Sequence, residues 1–197
     1  MLDTHARKAV DPLIDSVARA LRGARLTPNA VTFLAMVVGL TAGWGASRGW
    51  TGTALALLWI SGLLDATDGA LARLTNSSPM GAIFDITADR VVEVAVIAGL
   101  AWRHPEARFD LVLLAGVIAI AMSLFLSIAA TLRNRSAKSF HYAPGLGERT
   151  EAFLCLSAML IGTAHLRAWT WFFMAVMVFT MGQRLAQVAL ALRSGGA

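Results

Sequence analysis

Four aspartates interrupt a stretch of this chain that is otherwise apolar enough to lie inside a membrane. They are Asp65, Asp68, Asp85 and Asp89. A charged side chain at the bilayer centre costs about 2.5–3.5 kcal/mol even on a lenient insertion scale, so four would cost roughly 10–14 kcal/mol without compensation. Spacings of three and four residues place these side chains on the inner faces of two helices, where they can share bound cations.

Composition places the whole chain in the membrane class. Of its 197 residues, 57% are hydrophobic and only 15% are charged, whereas a soluble domain has about 25% charged residues. The formal net charge is +5, but the basic residues collect at the ends of apolar segments and do not interleave with aromatic residues. This pattern favours membrane lipids with anionic headgroups as partners and argues against nucleic acid.

Hydropathy and turn residues predict an all-α integral membrane protein with six transmembrane helices and an N-terminal amphipathic surface helix. Residues 9–23 have apolar side chains at helical spacing and charges on the other side, the pattern of a helix on a membrane surface; packing on the protein itself is an equal alternative. Gly23 is expected to end this helix. The spans are predicted at 29–48, 51–73, 80–102, 109–132, 151–166 and 169–191, each near the ~20 residues that a bilayer requires.

The distribution of lysine and arginine predicts the orientation. With the N-terminus inside, the inner flanks hold eleven of these residues and the outer flanks hold four. The outer ones are Arg48, Arg103, Arg108 and Arg167. The positive-inside rule therefore predicts a multi-pass protein of the cell (inner) membrane, with both termini and the aspartates on the cytoplasmic side. We expect residues 1–26 to form a cytoplasmic juxtamembrane helix and residues 27–197 to form the six-span domain.

The residues around the aspartates suit a diphosphate held by metal ions. One helical stripe contains Asp65, Asp68, Gly69 and Arg73, and the other contains Gly81, Asp85 and Asp89. Carboxylates without His or Cys favour Mg²⁺ or Mn²⁺ over zinc. Gly69 allows close approach of a phosphate, and Arg73 can pair with it. A structural ion-pair network with Arg73 and Arg90 is the alternative, although two arginines supply too little countercharge for four carboxylates.

The motif on these two helices is similar to the signature of the CDP-alcohol phosphotransferase family. It reads Asp65-x-x-Asp68-Gly69-x-x-Ala72-Arg73, then Gly81-x-x-x-Asp85-x-x-x-Asp89. The segment Thr27-Pro28-Asn29-Ala30-Val31-Thr32 and the arrangement of six spans extend the resemblance over most of the chain. The resemblance implies an enzyme that transfers a substituted phosphate group from a CDP-linked donor to an alcohol and releases CMP.

The resemblance also implies roles for individual residues. Two Mg²⁺ or Mn²⁺ ions would be held by Asp65, Asp68, Asp85 and Asp89. Asp89 would also be the catalytic general base on the acceptor hydroxyl. The implied nucleotide-binding residues are Asn29, Ala30, Val31, Thr32, Gly69, Arg73, Ser78 and Gly81. A homodimer is a further implication of the resemblance.

The polar connection 133–150 is predicted to face the cytoplasm beside the aspartates. Its possible acceptor-binding residues are Arg133, Arg135, Lys138 and Arg149. Such residues can hold a phosphorylated acceptor, and a basic loop resting on lipid headgroups is at least as good an interpretation. The end of the fourth span, Ser127 to Arg133, departs from the pattern of family branches that use inositol phosphate. The resemblance therefore does not assign the acceptor.

We expect a phosphatidyltransferase of phospholipid biosynthesis that uses CDP-diacylglycerol as donor and an alcohol as acceptor. The motif does not distinguish this reaction from transfer of a soluble CDP-alcohol headgroup onto a lipid acceptor, which stays open. A cation transporter would also place carboxylates inside the membrane. That class commonly shows inverted repeats or paired broken helices, and the sequence has neither.

Overall fold

The computed structural model describes residues 2–75, 78–133 and 149–194, and every element within these ranges is helical. Within the described ranges, seven α-helices follow one another. They are α1 (Leu2–Gly23), α2 (Pro28–Arg48), α3 (Thr51–Leu74), α4 (Pro79–Arg103), α5 (Arg108–Arg133), α6 (Arg149–Ile161) and α7 (Leu166–Ser194). Short 3-10 turns precede α5 and α7. The all-helical fold predicted from hydropathy is confirmed.

Among the described residues, four segments are long and apolar enough to cross a bilayer. They are Pro28–Arg48, Thr51–Leu74, Pro105–Thr131 and Thr163–Leu190, which correspond to the predicted first, second, fourth and sixth spans. Helix α4 also has the length of a span, 25 residues. Its apolar character is reduced by four charged residues in its first 15 positions, Asp85, Asp89, Arg90 and Glu93.

The predicted fifth span, 151–166, is wrong at its C-terminal end. Helix α6 stops at Ile161, and a 3-10 turn, Thr163–His165, leads into α7. The helix has 13 residues, or about 20 Å at 1.5 Å per residue, which is shorter than the ~30 Å hydrocarbon core. Glycine at position 162 follows the helix directly, which is the usual position of a helix-ending glycine.

Helix α2 packs against both α3 and α4 more extensively than any other two described helices pack together. A Cβ atom at Gly43 would lie 2.5 Å from backbone atoms of Ala95, and a Cβ at Gly99 would collide with the carbonyl oxygen of Gly43. Small residues allow such backbone contact between helices in membranes. On the other side, the Ser61 hydroxyl of α3 donates to the Ala35 carbonyl at 2.7 Å. Helix α2 therefore fixes the positions of the two helices that carry the motif.

Helix α1 packs on the bundle beside the motif helices. Ile14 and Ala18 are buried in a cluster with Val31 of α2 and Ala70 and Leu71 of α3. At least this part of the predicted amphipathic helix therefore faces the protein. Whether the rest of the helix lies on a membrane surface stays a prediction.

Helix α1 ends at Gly23, as predicted, and Arg25 closes this end of the helix. The Arg25 amide donates to the Arg22 carbonyl, and the Leu26 amide donates to the Leu21 carbonyl, which together form the Schellman motif. Arg25 has a φ of 60°, the left-handed conformation that usually selects glycine. The prediction that Gly23 ends the helix is confirmed, and the left-handed residue that closes this end lies two positions further on.

The far end of the bundle, opposite the motif, is joined by polar contacts. Arg167 at the start of α7 pairs with the buried Asp110 of α5 at 2.7 Å. The Arg103 guanidinium of α4 lies against Gly49, the left-handed residue (φ 77°) that caps the C-terminal end of α2. Between the two ends, α5, α6 and α7 contribute large buried side chains, including Leu114, Leu156 and Phe173. The far end of the bundle is therefore held together independently of the four motif aspartates.

Candidate metal and nucleotide site

Three carboxylates from two helices converge where the end of α3 faces the start of α4. Asp65, Asp68 and Asp85 each place a carboxylate oxygen within 4.8 Å of those of the other two. Asp65 and Asp68 are only 6% and 4% exposed, and Asp85 is half-buried. The two stripes therefore meet at three of the four aspartates.

The chemistry of this cluster fits a divalent cation. All of its donors are carboxylate oxygens, the ligands that Mg²⁺ prefers and Mn²⁺ accepts. In the part of the chain that the structure describes, the buried Oδ1 atom of Asp85 has no hydrogen-bond partner, and a cation would satisfy it. Three carboxylates this close repel one another unless positive charge lies between them.

Asp89 lies beside the cluster, one helical turn beyond Asp85. Together with Asp65 and Thr32 it lines a small cavity of about 10 Å³, roughly the space needed for one water molecule. On the next turn of α4, Arg90 and Glu93 form an ion pair with a distance of 2.7 Å between Nη1 and Oε2, as their spacing predicts. A series of charged groups therefore continues from the cluster into the bundle.

A larger cavity of about 470 Å³ opens next to the acidic cluster. Asp68 and Asp85 both reach its wall, so a ligand inside it can share cations with them. Five of the predicted nucleotide-binding residues line it, namely Asn29, Thr32, Gly69, Ser78 and Gly81. Sequence reasoning did not assign six others to the site: Leu26, Thr27, Pro28, Ala72, Thr75 and Ala82. Of these, Ala72 could have been predicted to line the cavity, because it lies four residues after Asp68 and three after Gly69 on the same helical face.

The first turns of two helices form part of the cavity wall. Thr27 caps α2 by accepting a hydrogen bond from the Ala30 amide at 3.3 Å, and Ser78 caps α4 by accepting one from the Gly81 amide at 3.0 Å. A proline follows each cap, which suits the first helical position. The positive ends of both helices therefore face the cavity, a favourable environment for phosphate oxygens.

Two glycines shape the cavity in different ways. A Cβ atom at Gly69 would have only Arg73 Nη1 within 4 Å, at 3.8 Å, so the missing side chain leaves open space. A Cβ at Gly81 would lie 3.0 Å from Asn29 Oδ1 and 3.1 Å from Ser78 Oγ. Gly81 therefore lets the capped ends of α2 and α4 approach each other.

Three predicted nucleotide-binding residues do not line this cavity. Val31 is 2% exposed and packs in the cluster with α1, so its side chain cannot contact a ligand there, and only its backbone remains available. Ala30 is exposed outside the cavity wall. Arg73 is also exposed, but its guanidinium lies close to the open side of Gly69, at the edge of the cavity.

The predicted acceptor-binding residues lie at or beyond the limits of the described chain. Arg135 and Lys138 are outside the described residues, while Arg133 ends α5 and Arg149 begins α6. Another charged residue inside an apolar helix, Arg184 of α7, has its guanidinium 5.0 Å from the ring of Phe125 on α5 and is not among the residues that line either cavity.

Comparisons with known proteins agree with this fold and motif. The family model for CDP-alcohol phosphatidyltransferase matches residues 25–183. The inner membrane protein YnjF of Escherichia coli strain K12 is 32% identical over 165 residues, which cover 78% of this chain and 79% of that protein. An archaetidylinositol phosphate synthase of Methanothermobacter thermautotrophicus is 28% identical over 191 residues, or 92% of this chain and 89% of that protein.

A third relative, the phosphatidylinositol phosphate synthase of Mycobacterium tuberculosis, is 34% identical over 101 residues, which cover 49% of this chain and 46% of that protein. Its crystal structure with CDP-DAG bound has a TM-score of 0.70 at 25% identity and covers 90% of this chain and 94% of that one. Its complex with manganese and citrate has a TM-score of 0.74 at 23% identity, with 89% and 88% covered. The latter likeness shows the shared fold.

The described residues form an all-helical fold with membrane-spanning segments and a cluster of three carboxylates that could hold a metal ion, which defines the chain as an integral membrane protein with a candidate metal site. Within that class, the chain belongs to the CDP-alcohol phosphatidyltransferase family, because the family model matches most of its length. It is therefore a CDP-alcohol phosphotransferase, a membrane-bound transferase of phospholipid biosynthesis.

Proposed function

We propose that the protein transfers the phosphatidyl group of CDP-diacylglycerol to an alcohol and releases CMP. The observation that carries this proposal is the meeting of Asp65, Asp68 and Asp85 within 4.8 Å beside a cavity of about 470 Å³. The cavity has room for a nucleotide diphosphate, and a relative of the same fold has been crystallised with CDP-DAG. Nothing in the described part of the chain favours a soluble CDP-alcohol or ion transport over this reaction.

The donor's diphosphate would lie between the acidic cluster and the two helix N-termini. Asp65, Asp68 and Asp85 would hold Mg²⁺ or Mn²⁺, with Asp89 contributing to one of two ions. Bound cations would neutralise charge on the phosphate oxygens and on the departing CMP. The open side of Gly69 admits a phosphate group closely. Arg73 is near enough to that opening to pair with the same group.

The remaining nucleotide contacts follow from the cavity wall. Asn29 and Ser78 present polar atoms near the first turns of α2 and α4, where a ribose or cytosine can be hydrogen-bonded. Gly81 keeps these two groups close together. The nucleotide would therefore span the gap between two helix ends while the acyl chains extend between spans into lipid.

Asp89 would act as the general base. The acceptor oxygen attacks the phosphorus that bears the diacylglycerol group, and its hydroxyl proton passes to the Asp89 carboxylate. The bond from that phosphorus to the bridging oxygen breaks, and CMP leaves with the electron pair. Direct in-line displacement needs no covalent enzyme intermediate, and Asp89 adjoins the cluster without being one of its three central carboxylates.

The acceptor would enter from the cytoplasmic side, where the connection between α5 and α6 supplies basic residues. Arg133, Arg135, Lys138 and Arg149 suit a phosphorylated alcohol, and Arg184 adds a cation within the bundle. Two relatives are named as inositol phosphate lipid synthases. Inositol phosphate is therefore the first acceptor to test, although the end of α5 departs from the pattern of that branch.

The membrane arrangement is part of the same proposal. Helices α2 to α7, within residues 27–197, would form six spans. Neighbouring helices would shield the charged part of α4 and the short helix α6 from lipid. Residues 1–26 would form the juxtamembrane helix, both termini and the site would face the cytoplasm, and the protein would act as a homodimer. The excess of arginine and lysine at the motif end supports this orientation.

The test uses purified full-length protein in lipid nanodiscs with labelled CDP-diacylglycerol and a panel of alcohols that begins with inositol phosphate and glycerol phosphate. We expect Mn²⁺- or Mg²⁺-dependent CMP release with one lipid product. Asp89→Asn should slow CMP release by about 10²-fold or more, the usual scale of general-base catalysis. The matched control is Asp15→Asn, at an exposed position of α1. Folded Asp89→Asn protein that releases CMP at the wild-type rate would contradict the proposed mechanism.

A further inference from the structure

Thr32 lies where the nucleotide cavity meets the acidic cluster. It is 3% exposed, and its hydroxyl donates to Oδ2 of Asp68 at 2.5 Å. Thr32 also lines both the large cavity and the small one that contains Asp89. A buried hydroxyl from α2 therefore contacts one of the three clustered carboxylates directly.

The proton of this hydroxyl belongs to Asp68 rather than to its other neighbour. The Pro28 carbonyl is 3.1 Å from Thr32 Oγ1, but a helical carbonyl points along the axis towards the next turn, where a backbone amide can donate to it. Asp68 is a carboxylate with little access to water, and hydrogen bonds to charged acceptors are about twice as strong as neutral ones. The single hydroxyl proton therefore fixes Oδ2 of Asp68, in a carboxylate that has an oxygen within 4.8 Å of those of Asp65 and Asp85.

We infer that Thr32 is a positioning residue that holds Asp68 in the orientation required for cation binding. The inference rests on the proposed function, because it assumes that cations occupy the cluster. Removing a group that hydrogen-bonds to a metal ligand and orients it typically lowers metal affinity by 10- to 100-fold. The family resemblance implies a nucleotide contact for Thr32, whereas this geometry assigns its hydroxyl to the metal ligand.

The experiment measures Mn²⁺ affinity in the absence of any nucleotide, by electron paramagnetic resonance of free Mn²⁺ added to full-length protein in nanodiscs. Thr32→Val keeps the shape of the side chain and removes the hydroxyl, while Thr32→Ser keeps the hydroxyl. The control is Thr41→Val on the same helix. Thr41 is exposed, and its hydroxyl bonds only a carbonyl of its own helix in the described structure, that of Val38 at 2.6 Å.

We expect Thr32→Val to weaken Mn²⁺ binding by about tenfold or more, while Thr32→Ser and Thr41→Val bind Mn²⁺ like the wild type. Unchanged Mn²⁺ affinity in Thr32→Val, with a loss confined to CDP binding, would overturn the inference and favour a direct nucleotide contact. Equal loss in Thr32→Ser would also overturn it, because the hydroxyl would then not be the cause. If the wild type itself bound no Mn²⁺, the proposed function would fail first, so the two failures are distinguishable.

Discussion

At the scale of single residues, neighbouring positions on α3 have opposite requirements. Asp68 is nearly buried and hydrogen-bonded, whereas the next residue, Gly69, opens onto the cavity. One position must be held still by its surroundings, and the other must leave room for a ligand. Substitutions at the two positions should therefore impair the site for different reasons: loss of an oriented carboxylate at Asp68, and loss of space for the ligand at Gly69.

Gly69→Ala should leave the fold intact and impair donor binding. The added methyl group meets only Arg73 at 3.8 Å, and alanine stabilises a helix by up to about 1 kcal/mol relative to glycine. We expect an unchanged or higher unfolding temperature, with kcat/KM for CDP-diacylglycerol lowered by about 100-fold because the phosphate is displaced. Gly116→Ala on α5 is the control, since a Cβ there has nothing within 4 Å. Wild-type kcat/KM in Gly69→Ala would place the donor elsewhere.

The ion pair of Arg90 and Glu93 should contribute to stability mainly by avoiding an unpaired charge. The Glu93 side chain is 3% exposed and that of Arg90 is 31% exposed. Arg90→Met leaves the buried Glu93 carboxylate without its partner, and breaking such a buried pair lowers the free energy of unfolding by about 3–5 kcal/mol.

Thermal unfolding in detergent measures this effect. Because an apolar pair of similar volume is often tolerated, the double variant Arg90→Met/Glu93→Met should recover much of the loss in unfolding temperature. A double variant as unstable as Arg90→Met alone would show that the pair does more than neutralise one buried carboxylate.

The sequence identifies the charged residues of the site but not the contacts that they make with other helices. Covalent spacing fixes which aspartates share a helix face, so Asp65, Asp68 and Asp85 could be assigned to one site in advance. The bond from Thr32 to Asp68 joins residues 36 positions apart, and no periodicity within one helix predicts it. Val31, adjacent to Thr32, was assigned to the nucleotide by motif but packs against α1, because successive helical residues face different directions.

At the scale of elements, α2 organises the site although it supplies none of the aspartates. The prediction placed α3 and α4 opposite each other and assigned residues 29–32, at the start of α2, to the nucleotide. It gave α2 no role in holding the two motif helices together. The sequence does contain a signal, because Gly39 and Gly43 have the small-residue spacing of close helix packing in membranes. Their Cβ positions collide with Val92 and Ala95 of α4. Which helix would meet these glycines depends on the tertiary fold, and the sequence alone does not specify it.

Gly43→Val should separate α2 from α4 and weaken the site at a distance. Its side chain would overlap backbone atoms of Ala95, with no flexible group able to move, and overpacking of this kind costs about 1–3 kcal/mol. We expect a lower unfolding temperature together with weaker Mn²⁺ binding, since Asp85 moves with α4. The exposed Gly116→Ala variant serves again as the control. Full Mn²⁺ affinity in a destabilised Gly43→Val protein would show that the cluster does not depend on this crossing.

At the scale of the whole molecule, the two ends of the bundle differ in charge and in construction. The motif end holds the acidic cluster and most of the basic flanking residues. The far end holds ring contacts such as Trp44 with Trp50, 5.0 Å between centroids, and the pair of Arg167 with Asp110. Tryptophans at helix ends suit a membrane interface. This asymmetry predicts that the motif end faces the cytoplasm.

Thiol labelling in intact cells tests that orientation. In a Cys155→Ala background, Ser16→Cys reports the motif end and Gly52→Cys reports the far end, and both positions are exposed. A membrane-impermeant maleimide should label Gly52→Cys in intact cells and Ser16→Cys only after permeabilisation. The reverse pattern would place the site outside and contradict the positive-inside assignment.

The most direct test of the central claim is to locate the cations. Crystals of the protein grown with Mn²⁺ and CDP allow an anomalous difference map at the manganese absorption edge. The account predicts anomalous density within bonding distance of the carboxylates of Asp65, Asp68 and Asp85, adjoining the diphosphate. Manganese density found only elsewhere, or carboxylates turned to separate surfaces around a bound nucleotide, would contradict it.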